Sequence, residues 1–147
     1  MQPIQNSRIR EYTRLSGEID SLYHEIAIEM GVSDSVLNVL YIILHKGEEC
    51  LQSELSKLSG INRQTINSAV RKLEKDGIVY LKQGHGRNTI VCLTEKGKEF
   101  SSERIYPILE IEKNIWNEWT AEQQQQYLMF TRQYHDALEK YVQMRHL

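Results

Sequence analysis

A mainly α-helical chain with one β-hairpin is the fold class this sequence predicts, and three observations predict it. Apolar residues recur at helical spacing over most of the 147 residues. Residues 78–83 and 87–93 are rich in Val, Ile, Tyr and Thr and are separated by Gly84, His85 and Gly86, which is a hairpin signature. Gly60 divides two short helical patterns just before that hairpin. A short helix, a Gly-led turn, a polar-faced helix and a hairpin with Arg87 at its tip together make the pattern of a winged helix-turn-helix.

Six helices and one hairpin are expected. Tyr12, Leu15, Ile19, Leu22, Tyr23 and Ile26 form an apolar stripe that places the first helix at 8–29, bent at Gly17 and ended by Gly31. Ser33 or Asp34 starts a second helix that runs to about Lys46. Its centre is apolar nearly all round, as in a helix buried on most sides, and Gly47 terminates it. Leu51, Leu55 and Leu58 give the third helix one inward face. Asn62 is a suitable N-cap for the fourth, which runs to Asp76 and is closed by Gly77. After the hairpin Thr94 begins a fifth helix, with Glu95 near its positive end and Pro107 kinking or interrupting it. Thr120 and Gln123 form a capping box for a last helix towards Val142.

The net charge of −2 conceals a division. Residues 60–98 hold eight Lys and Arg against three acids, a net +5, so the remainder carries −7. Phosphates reward local positive charge of this kind. On the fourth helix Ile66, Val70 and Leu73 are expected to point inward, leaving Gln64, Thr65, Asn67, Ser68 and Arg71 facing out. Amides, hydroxyls and a guanidinium pair with base edges and phosphates in a major groove. Gln64, Asn67 and Arg71 are the base-contact candidates, Arg63 a phosphate contact, and Thr65 and Ser68 either. Arg87 at the hairpin tip is placed to reach a minor groove, with Lys82 and His85 near the backbone. Lys96 and Lys98 read equally well as phosphate contacts or as surface charge.

The segment NRQTINSAVRKLEKDGIV, followed by a hairpin and RNTIVCLTEKGKEF, resembles the multiple-antibiotic-resistance regulator (MarR) family. Leu93 to Gly97 together with Arg87 carry the more specific part of the likeness. The resemblance implies a homodimeric transcriptional regulator, usually a repressor, bound to a pseudopalindromic operator. It divides the chain into a winged lobe at 33–98 and a helical dimerisation region at 8–29 and 99–145. His85 stands where the family commonly has an Asp that steadies the wing arginine. The resemblance also implies a small aromatic or anionic effector, for which Tyr12, Arg14, Tyr23 and Tyr41 are the candidate liners.

Two other controls stay open. Zinc sensing would draw on His24, Glu25, His45, Glu48, Glu49 and Cys50, with His135 and His146 distant in sequence. Redox control would need a reactive thiolate at Cys50 or Cys92, which are spaced like neither a zinc motif nor a disulfide framework and read first as buried thiols. No cofactor or catalytic motif appears, so an enzyme is not expected. A winged helix used for protein–protein contact is the alternative function. No apolar run approaches membrane-spanning length, and the N-terminus lacks the apolar core of a secretory signal, so a cytoplasmic protein without membrane contact is expected.

Overall fold

In the computed structural model, which describes residues 6–145, seven helices and three short strands are present among the described residues. The helices are α1 (Ser7–Met30), α2 (Asp34–Lys46), α3 (Gln52–Ser59), α4 (Arg63–Lys75), α5 (Glu95–Arg104), α6 (Tyr106–Asn117) and α7 (Ala121–Arg145). The strands β1 (Glu49–Leu51), β2 (Val79–Gln83) and β3 (Thr89–Leu93) form one antiparallel sheet in the order β1-β3-β2. The mainly α winged-helix class is therefore the one observed. The chain divides after Tyr106 into two compact units.

The first unit is built on α2. Val39, Leu40 and Ile43 are wholly buried, and α4, α3 and the sheet pack around them. Ile66, Val70 and Leu73 of α4, Leu55 of α3, Val79 of β2 and Val91 of β3 complete this core. Burying each such side chain contributes about 1.5–3 kcal/mol. Ser33 caps α2 at its start, and Asn62 caps α4 by accepting from the Thr65 amide at 2.9 Å. Gly60 ends α3 with φ +70°, the left-handed conformation that lets the chain reverse into α4.

Four features depart from the expected elements. β1 pairs Glu49 with Cys92 and Leu51 with Ile90, a strand that its three residues do not announce. Leu58 is 54% exposed, so Leu55 alone anchors the middle of α3. Each wing strand starts later than expected, at Val79 and Thr89, and ends where expected, leaving Gly84 to Asn88 as the tip, closed by the Gly84 amide on the Asn88 carbonyl. The interruption expected at Pro107 is a full break: α5 ends at Arg104, and Pro107 sits in the first turn of α6, where its missing amide costs nothing.

The Leu93–Gly97 stretch is explained by contacts. Leu93 is buried at the end of β3. Thr94 caps α5 by accepting from the Gly97 amide, and its hydroxyl donates to the Gly77 carbonyl. Lys96 donates to the Asp76 carbonyl, capping α4 rather than standing free. Lys98 pairs with Glu48 at 3.1 Å and Glu95 at 3.3 Å. Gly97 lies against the backbone of Ile78, and a methyl group there would overlap the Ile78 carbonyl oxygen.

In the second unit, Thr120 and Gln123 make the expected capping box: the Thr120 amide donates to Gln123 Oε1 at 2.9 Å and the Gln123 amide to Thr120 Oγ1 at 3.1 Å. Trp116, Trp119 and Tyr127 pack on one another with ring centroids 5.1–5.6 Å apart, joining α6 to α7.

Gly97→Ala is expected to destabilise the chain by at least roughly 1–3 kcal/mol, because the neighbour it would strike is main chain. Urea unfolding followed by circular dichroism measures it, and an unchanged midpoint would contradict this packing.

Candidate nucleic-acid interface

The rotation of α4 about its axis decides what the site contains. Ile66, Ala69, Val70 and Leu73 are buried and face α2 and α3. The opposite stripe, at steps of four, three and four, is Gln64, Ser68, Arg71 and Lys75, all exposed. Lys75 is an addition to the residues expected from sequence; the same helical spacing identifies it. Thr65 and Asn67 lie on the two flanks, each roughly 100° from Ile66. Arg63 opens the helix and is exposed. Ser68 Oγ donates back to the Gln64 carbonyl at 3.1 Å, which ties its hydroxyl hydrogen to the helix.

Asn67 is half-buried and engaged: Gln52 Nε2, at the start of α3, donates to Asn67 Oδ1 at 3.0 Å. No sequence pattern links these residues, because they meet only when α3 crosses α4.

The wing presents Arg87 at its tip, exposed, with Gln83 Nε2 donating to the Gly86 carbonyl at 2.8 Å to brace the turn. His85 is exposed beside it. Lys82 is held by Glu49 at 2.7 Å. The pair holds the Glu49 carboxyl below its ordinary range and raises the Lys82 ammonium.

Eight cations of the lobe sort into two sets. Lys46, Lys72, Lys82 and Lys98 pair with Glu54, Asp76, Glu49 and Glu48. Arg63, Arg71, Lys75 and Arg87 make no ion pair among the described residues and all are exposed.

A model of the MarR family matches residues 30–87, which span α2, α3, α4, β2 and the wing tip. Over that segment the chain is similar to the MarR family. No curated protein matches the chain. Among solved structures, a MarR family regulator from Neisseria meningitidis is similar over 95% of this chain and 99% of its own, with 14% identity and a TM-score of 0.82. A MarR family regulator from Streptomyces coelicolor, solved in complex with DNA, covers 94% of this chain and 91% of its own at 20% identity, TM-score 0.70. NadR in complex with 4-hydroxyphenylacetate covers 91% and 96% at 15% identity, TM-score 0.70. The chain thus has the fold of MarR-family transcriptional regulators.

The four effector candidates do not share one face. Tyr12 and Tyr23, eleven residues apart, share one side of α1. Arg14 lies roughly 200° round from Tyr12 and pairs with Glu18 at 3.0 Å. Tyr41 sits on α2, its ring 4.6 Å from that of His45. An open cleft of about 190 Å³ is lined instead by Trp119, Gln123 and Tyr127.

Four of the zinc candidates have other partners. His24 pairs with Asp34 at 2.8 Å, His45 packs on Tyr41, and Glu48 and Glu49 hold lysines. Among the described residues, a His and acid group with converging donor atoms is His135, Asp136 and Glu139, exposed on α7. His146 lies outside the described residues. No single helix described is long and apolar enough to cross a membrane.

Both thiols are free and buried, as expected. Burial, then the Glu54 carboxylate, pushes Cys50 up to about 11, and burial raises Cys92. A reactive thiolate requires the opposite shift. Native Cys50 is therefore expected to alkylate near pH 8 about a hundredfold more slowly than in urea, from its thiolate fraction alone. Because its folded value is raised, the associated stability is complete at neutral pH and is lost as pH climbs towards 11. Mass-spectrometric labelling checks the first point, and equal rates in both states would refute it.

Proposed function

We propose that this chain is a homodimeric, sequence-specific double-stranded-DNA-binding transcriptional regulator, acting as a repressor on a pseudopalindromic operator. The observation that carries the reading is the pairing of an acid-free outer stripe on α4 with guanidiniums at Arg63, Arg71 and Arg87 that no acid among the described residues neutralises. A major groove supplies base-edge acceptors to such a stripe, and phosphates supply the missing anions. In this proposal Gln64, Arg71 and Asn67 read bases, Arg63 and Lys75 meet phosphate, and Thr65 and Ser68 meet either. Arg87 enters the minor groove beside His85, and Lys82, already neutralised by Glu49, contributes least.

Dimerisation is supported by two helices, each considered alone. α7 runs for 25 residues and buries none of them, although Tyr127, Tyr134, Leu138 and Tyr141 fall on one stripe. α1 exposes Tyr12, Leu15, Ile19, Leu22 and Tyr23 at three- and four-residue steps. Helices with such stripes are stabilised by packing rather than by propensity, and a second copy supplies the packing. The proposal includes release by a small aromatic or anionic effector at Tyr12, Tyr23 and Tyr41. NadR's complex with 4-hydroxyphenylacetate supports it through shared fold.

Affinity for duplex DNA is expected to fall by on the order of 10³-fold between about 50 and 200 mM salt. Selection from random duplexes is expected to return an inverted repeat with half-sites roughly 34 Å apart. Arg71→Ala and Gln64→Ala relax specificity by about 1–3 kcal/mol at single positions. Arg87→Ala mainly lowers affinity. Salt-independent binding, or no enriched duplex, would leave the protein-interaction alternative standing.

Light scattering at micromolar concentration is expected to give a dimer mass for the parent, and Leu138→Glu should shift it towards monomer. A monomeric parent overturns the dimer.

A further inference from the structure

The hydrogen bond between α3 and α4 at Asn67 carries more than packing. An asparagine amide presents both an acceptor and two donors, and a free one can pair with adenine through both. In this chain Gln52 Nε2 donates to Asn67 Oδ1 at 3.0 Å in a half-buried contact. The carbonyl end is thereby turned to α3, and the Nδ2 amino group has no partner among the described residues. Gln52 occupies the first position of α3, and its side-chain amide is given to Asn67 on α4.

We infer that Gln52 is a specificity-determining residue that acts through Asn67, orienting its amide to present a donor to the duplex. This deepens the DNA-binding reading and rests on it. The base edges such a donor recognises in the major groove are acceptors: guanine O6 and N7, adenine N7 and thymine O4. Cytosine, whose major-groove edge offers a donor, is rejected. Gln52 itself needs no base contact; it is a positioning residue.

The chemistry allows the preference to be reversed. A carboxylate at position 52 cannot donate, so in Gln52→Glu the Asn67 amide turns, giving Nδ2 to the carboxylate and presenting Oδ1. Cytosine N4 and adenine N6 then become the favoured edges. Glutamate is well suited to the first turn of a helix, so the fold should tolerate it. Gln52→Met keeps the shape and removes the donor, and serves if the charged variant does not fold.

The test is selection from random duplexes with the full-length parent, Gln52→Glu, Gln52→Met and Asn67→Ala, read position by position. The parent should show one position per half-site that disfavours cytosine by roughly five- to tenfold. Asn67→Ala should flatten that position alone, Gln52→Met should free the amide and move it towards adenine, and Gln52→Glu should move it towards cytosine or adenine, with the other positions unchanged. If Asn67→Ala flattens it while both Gln52 variants match the parent, Gln52 does not orient the amide and the inference fails. If Asn67→Ala changes no position, Asn67 reads nothing and the inference fails. A parent that enriches no duplex overturns the DNA-binding reading itself, a result distinguishable from the other two.

Discussion

Four side chains on one face of α4, namely Ile66, Ala69, Val70 and Leu73, fix the rotation of that helix, and the rest of the site depends on this constraint. A helix has one rotational freedom relative to its support. Turning α4 by a single residue position, about 100°, would bring the engaged Asn67 flank to the front and carry Gln64 and Arg71 towards the edge. The core prevents it, because α4 packs against α2, α3 and β2 together and interiors are too closely packed to accept a different set. Gly60 and the Asn62 cap determine where α4 begins, and the buried face determines which residues it shows.

The same lobe separates its charges. Acids at Glu48, Glu49 and Glu54, close to the short β1 strand, each hold a lysine. Exposed pairs of this kind contribute little stability, roughly 0–1 kcal/mol, so their main effect is to neutralise the flank of the sheet. The guanidiniums at Arg63, Arg71 and Arg87 are spared such partners and keep their full charge outward. Within residues 60–98, Lys72, Lys82 and Lys98 are paired with acids, whereas Arg63, Arg71, Lys75 and Arg87 are not. Arginine suits the second role because its planar fork binds phosphate and guanine at two points.

Much of the fold was legible in the sequence because it follows from local rules. Helix starts at Ser33, Asn62, Thr94 and Thr120 were readable, since a side-chain oxygen two or three residues ahead of an amide is a short-range arrangement. The inward set on α4 was readable from steps of three and four. β1 was not, because three residues hold too little pattern, and its partner β3 lies some forty positions away. The exposure of Leu58 was hidden for a related reason: apolar spacing marks a face, but the supporting helix decides how far along the face burial extends.

In the site itself, the chain alone determined residue chemistry: which side chains can donate, which carry charge, and which lie on the outer stripe, including Lys75. Tertiary structure decided their availability. Asn67 is turned by Gln52, Lys82 is occupied by Glu49, Lys96 caps α4, and Cys50 and Cys92 are sealed in the sheet. Each of those outcomes depends on a partner fifteen or more residues away or on burial from several elements at once. Spacing along one helix carries no information about such encounters, because they arise only when separate elements are brought to within hydrogen-bonding distance by the packing of the core.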